Sequence, residues 1–170
     1  MNEANETIIN EVYEKAFQYE AEFGICPQAV LAALHDHFDF VDREVIKKGH
    51  FLAGGIVRSI DGHCGALSGG IMAIGCKYGR ERNEFGEKTE IHEAGASLAR
   101  QLHDRFAAEY GGVICREVQE KIFGRAFNLR DEKESEMFEE AGAHLDKCPS
   151  VTGNVARWTA ELLINGNIKT

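Results

Sequence analysis

Proline is scarce in this 170-residue chain: there are two, and each directly follows a cysteine, at Cys26-Pro27 and Cys148-Pro149. Basic charge is short as well. Nineteen lysines and arginines stand against 28 aspartates and glutamates, and the formal net charge of −9 argues against nucleic acid or an anionic membrane surface as a partner. No run approaches about 18 apolar residues, so no membrane span is expected. The polar start Met1-Asn2-Glu3-Ala4-Asn5-Glu6 does not resemble a secretory signal, which leads to the expectation of a cytoplasmic protein. Alternating apolar and polar runs bounded by hairpin turns are also missing, and with them the sign of a β-sheet. There is no internal repeat, low-complexity tract or linker, so residues 1–170 are expected to form one domain, long enough to bury roughly 70% of its extended surface.

Helical periodicity, by contrast, is abundant. Ile8, Ile9, Val12, Tyr13, Ala16 and Phe17 recur at three- and four-residue steps and predict a helix over 5–23, with Gly24 as its stop. A second helix begins at Cys26-Pro27 and turns Val30, Leu31, Leu34 and Phe38 inward; a short one follows over 43–48, before a turn at Ala53-Gly54-Gly55. Ile91, Ala94, Leu98, Leu102 and Phe106 share one face of a long helix over 87–110, closed by Gly111-Gly112. Cys115 opens a helix carrying Val118 and Ile122. Cys148-Pro149 opens the last one, with Val151, Val155, Trp158, Leu162 and Leu163, before Gly166. In the acid-rich segment 128–144 only Met137, Phe138 and Ala141 are expected to be buried.

The fold class is therefore all-α, a helical bundle around the glycine-rich stretch 62–78. That stretch runs without a charge from Gly62 to Cys76, with Leu67, Ile71, Met72 and Ile74 as its large apolar side chains. Gly65, Gly69 and Ala73, at successive four-residue steps, form a strip nearly bare of side chain. Each glycine costs about 1 kcal/mol of helix stability relative to alanine, so close approach of another element or a ligand is the reason to expect so many. Ser59, Asp61 and Gly62 suit the capping of this helix.

The five cysteines do not form a secreted disulfide framework, and an odd count leaves one unpaired. Four of them, Cys26, Cys64, Cys115 and Cys148, fall at predicted helix starts, whereas Cys76 lies inside a helix. Proline is favoured in the first helical turn, which places Cys26 and Cys148 at N-caps. The positive end of a helix favours a thiolate over a thiol, so these four would serve as ligands of a metal centre or, without metal, as nucleophiles. Their separations of 38, 51 and 33 residues match no zinc-finger or ferredoxin clip.

In order, these segments resemble the C_GCAxxG_C_C family of redox-active proteins. Cys64-Gly65-Ala66-Leu67-Ser68-Gly69 fits its CGAxxG element, Cys26-Pro27-Gln28-Ala29-Val30 is similar to its first cysteine segment, and Phe51-Leu52-Ala53-Gly54-Gly55-Ile56 to its glycine turn. Cys115-Arg116 and Cys148-Pro149 supply the third and fourth cysteines, and the resemblance spans residues 23–163. It implies that Cys26, Cys64, Cys115 and Cys148 are the functional set, with Cys76 outside it. A related helical domain in split-Soret cytochromes c implies that the four hold an iron–sulfur cluster, [2Fe–2S]. The haem does not carry over, because the sequence has no C-x-x-C-H. The proline after Cys26, the extra Cys76 and the acidic segment 131–140 depart from the family pattern.

Other constellations carry less. His35-Asp36-His37 with Asp39 and Asp42 reads as a solvated patch, and His92-Glu93 is a zinc-protease motif without its second histidine. His63 could donate to a cluster sulfur or merely help cap the helix, and Gly65 and Gly69 would make room for a cofactor. Three functions follow: electron transfer or redox sensing through a [2Fe–2S] cluster, with a redox partner protein; a thiol–disulfide oxidoreductase, although no C-x-x-C pair is present; or a structural Cys₄ zinc site in an interaction module. Small-residue helix faces also leave a homodimer open.

Overall fold

A computed structural model describes residues 2–166, and among these it contains eight α-helices and no β-strand. α1 (Glu3–Phe23) is capped by the Asn2 side chain at the Asn5 N–H and stopped by Gly24 in the left-handed conformation. α2 (Cys26–His35) starts two residues later, and α3 (Arg43–Lys48) is capped by the Asp42 carboxylate at the Val45 N–H. α4 (Gly65–Tyr78) is the glycine-rich helix. α5 (Glu90–Tyr110) ends at the left-handed Gly111, and α6 (Cys115–Phe123) follows directly. α7 (Glu132–Glu140) leads through one wide helical turn, Ala143–Lys147, into α8 (Cys148–Asn165).

The core sits where α1, α2, α4, α5 and α8 pack on one another. Ile9, Val12 and Ala16 of α1 meet Val151, Val155 and Trp158 of α8, while Leu67, Ala73 and Ile74 of α4 join Val30, Leu34, Leu102 and Phe106. A smaller cluster, Ile60, Phe127, Leu129, Phe138 and Ala143, lies beside α6 and α7. The expected burial in the acidic segment is thus only partly right. Phe138 is inside, but Met137 and Ala141 are exposed and Leu129 and Ala143 are buried instead, because α7 is short and only Phe138 points at the second cluster.

The bare strip on α4 acts as expected of close packing. A methyl group at Gly69 would lie 2.6 Å from the Pro27 carbonyl oxygen and 3.2 Å from Val30 Cβ, so α2 can cross α4 only because no side chain intervenes. The helix starts three residues later than predicted. Residues 62–64 instead pair with 113–115: Cys64 N–H donates to the Val113 carbonyl at 2.8 Å and Cys115 N–H to the Gly62 carbonyl at 2.9 Å, around an antiparallel bridge between His63 and Ile114. Ser59 and Asp61 do not cap α4. Ser59 donates to the Gly55 carbonyl, and Asp61 pairs with Arg116.

Between α3 and α4 the backbone adopts an uncommon form. Gly54, Gly55, Ile56, Val57 and Arg58 all have positive φ, as does Ile60. For L-residues this conformation costs roughly 1–2 kcal/mol each and is most unusual for β-branched ones. The loop is held by Val57 N–H to the Phe51 carbonyl at 2.8 Å and Ile60 N–H to the Gly54 carbonyl at 2.9 Å. Arg58 ties it to the far side by donating to the Leu129 carbonyl and the Ser135 hydroxyl.

Candidate metal centre

Every second helix of the chain begins with a cysteine. Cys26, Cys115 and Cys148 are the first residues of α2, α6 and α8, and Cys64 is the residue before α4. Cys26 and Cys148 therefore stand one place inside the predicted N-caps, because their prolines occupy the second helical position rather than the first. All four line one cavity of about 530 Å³. Cys76, in the last turns of α4, does not line it.

Two features bring the sulfurs to a common space. The bridge between 62–64 and 113–115 sets Cys64 beside Cys115, and Gly65 lets Cys26 come in from α2, since a methyl group at Gly65 would lie 2.5 Å from Cys26 Sγ. Gly55 is as tight, with a would-be Cβ 2.8 Å from Cys115 Cβ. The other two proposed cofactor contacts fall elsewhere. Gly69 serves the α2–α4 crossing, and His63 is exposed beside Ile114, outside the cavity lining.

All four thiols are free. The expectation that helix starts would make them thiolates is overturned by burial. Desolvation pushes Cys64 up to about 11 and Cys115 up to about 12, and carries Cys26 and Cys148 well above the ordinary thiol value. Glu20 and the neighbouring sulfurs add to the rise at Cys26 and Cys148. Opposing it, the Gly54 N–H lies toward the Cys26 sulfur, the Ala66 and Leu67 N–H groups toward Cys64, and Gln119 Nε2 stands 3.7 Å from Cys115 Sγ. These few donors do not outweigh the loss of water around each sulfur. A positive metal centre would reverse the balance by displacing the protons.

Sequence reasoning missed Glu20. It is 2% exposed on the cavity wall, and burial raises its carboxyl to about 8, the Ile25 N–H opposing. Its Oε1 is 3.8 Å from His144 Nε2, while the other nitrogen of that ring is 2.7 Å from Glu139. The signal was present in the sequence: Glu20 continues the Ile9, Val12, Ala16 stripe that faces the core. Phe23 and Phe51 border the cavity with more than half of their surface exposed.

The donor set suits a thiolate-bound iron–sulfur core: four cysteines with backbone N–H groups beside them. Among the described residues no three His, Cys, Asp or Glu side chains are grouped closely enough to hold a single metal ion. The His35–Asp42 patch is taken up locally instead, with Asp36 on Lys15, Asp42 capping α3, and His35 Nδ1 2.5 Å from the Val41 carbonyl oxygen.

The site thus defines a helical protein in which cysteines start alternate helices around one cavity. Residues 25–162 match the family described as "Putative redox-active protein (C_GCAxxG_C_C)", and the chain belongs to that family. No curated protein and no solved structure matches it. Among the described residues, no helix is long and apolar enough to cross a membrane.

Proposed function

We propose that the chain binds a [2Fe–2S] cluster through Cys26, Cys64, Cys115 and Cys148 and acts in electron transfer or redox sensing. The supporting observation is that four cysteines, spread over more than a hundred residues, line a single cavity while the fifth does not. A bound cluster would supply one-electron transfer. The chain supplies four thiols on the cavity wall, and the Gly54, Ala66 and Leu67 N–H groups to favour negative charge on sulfur. Gly65 keeps Cys26 within the same space as Cys64.

The thiol–disulfide reading has less support, since burial holds all four thiols in the neutral form that attacks poorly. The deciding experiment is purification without oxygen, followed by the visible spectrum and iron, sulfide and zinc analysis. Equal iron and sulfide with visible absorption is the expected result, lost in Cys64→Ser and kept in Cys76→Ser. Zinc in place of iron would turn the reading to a structural site. Colourless, metal-free protein with paired cysteines would turn it to thiol chemistry.

A further inference from the structure

The cavity holds more than cysteines. Two buried polar atoms on its wall have no hydrogen-bond partner: Glu20 Oε2, on α1, and Thr152 Oγ1, on α8. Their residues are 2% and 1% exposed. An unpaired buried polar group costs about 1–3 kcal/mol, and two on one wall point to a partner that enters the cavity.

Size points the same way. The cavity measures about 530 Å³. That volume lies in the range of pockets that take small organic ligands. Its lining includes apolar and aromatic side chains, Phe51, Ile122, Leu129 and Phe138 among them.

We infer that this cavity binds a small, largely apolar molecule bearing a hydroxyl group, a phenol in class, anchored by Glu20 Oε2 and Thr152 Oγ1. A hydroxyl both donates and accepts, so it pairs with a carboxyl group whichever form that group takes, and with the threonine hydroxyl in either direction. A carboxylate ligand would have to bury a second acid beside Glu20 and Glu139. A fully apolar one would leave both orphan atoms unpaired.

The inference shares its cavity with the proposed cluster but does not depend on it, because neither anchor is a sulfur. The test titrates the full-length protein, as isolated without oxygen and after removal of metal, with 4-ethylphenol and with ethylbenzene, following binding by calorimetry and by NMR. The phenol is expected to bind at least about tenfold more tightly than its hydroxyl-free counterpart in the metal-free protein. Glu20→Leu should erase that preference while keeping ethylbenzene binding, and Thr152→Val should reduce it. Equal affinity of the two probes in the wild-type protein would show that water alone serves the anchors, and would overturn the inference without reference to any variant. Failure of both probes to bind would mean that the space belongs to a protein partner or to the centre itself, and would overturn it equally. Iron and sulfide measured on the same sample keep the two readings apart: phenol binding without iron would sink the cluster alone, and iron without phenol binding would sink this inference alone.

Discussion

Gly69 and Gly75 lie in the same helix, six residues apart, and the same substitution should have opposite effects at the two. At Gly75 an added methyl group meets nothing within 4 Å, and the residue is exposed in the body of α4. Gly75→Ala should therefore stabilise by about 0.5–1 kcal/mol through helix propensity. At Gly69 the methyl would stand 2.6 Å from the Pro27 carbonyl oxygen and 3.1 Å from Pro27 Cα, both backbone atoms of α2. Relief requires α2 to move, and overpacking of this kind costs about 1–3 kcal/mol. Both sites gain the same propensity term, so the difference between the variants isolates the strain at about 1–3 kcal/mol. In a chain of this length that is roughly 2–4 °C of melting temperature per kcal/mol. Urea and thermal unfolding of the reduced, metal-free protein measure it directly. A Gly69→Ala variant as stable as Gly75→Ala would refute the claim that bare backbone sets the α2–α4 distance. Because Cys26 begins α2, the same variant should also retain less iron if the proposed cluster is bound.

Glu20 makes stability depend on pH. Its folded value of about 8 lies above the 4.5 of an ordinary glutamate, so the folded chain holds this proton more tightly than the unfolded one. That contribution, on the order of a few kcal/mol, is complete below pH 4.5 and lost as pH rises through 8. Glu20→Gln should flatten the urea midpoint across that window, and an unchanged slope would contradict the assignment. At Val57, whose φ is +46°, glycine should prove about 1 kcal/mol more stable than alanine, since both lose the side chain and only alanine strains in the left-handed region. Thermal unfolding of the two variants settles the order. The reverse order, normal at a helical site, would mean that the loop is not left-handed in solution.

The sequence made the helices readable because each is punctuated chemically. Gly24 and Gly111 terminate α1 and α5 in the left-handed form that glycine tolerates, and the Ile9, Val12, Ala16 stripe turns inward as its spacing requires. The four cysteines could be singled out because helix starts and family pattern agreed on them. Their acidity could not, since it depends on how much water the assembled cavity excludes rather than on the helix end beside each sulfur. The loop at 54–58 was legible only as a glycine turn. Ile56 and Val57 prefer extended backbone, and the loop's own hydrogen bonds to Phe51 and Gly54, with the long-range bond from Arg58 to Leu129, override that preference. Glu20 was legible as the next step of the Ile9, Val12, Ala16 stripe, but its role was not, since an acid on an apolar stripe gains a purpose only once a cavity is found in front of it.

α1 arrives at the cavity with Phe23, and α8 departs from it with Cys148. At about 1.5 Å per residue, the 21 residues of α1 and the 18 of α8 carry the opposite ends of these helices some 30 Å from the sulfurs. A dye, an affinity handle or an electrode linker attached beyond either helix would therefore hang from the far end of the bundle and leave the mouth of the cavity facing outward. Immobilised through such a handle, every molecule on a surface would present the same end to the solution.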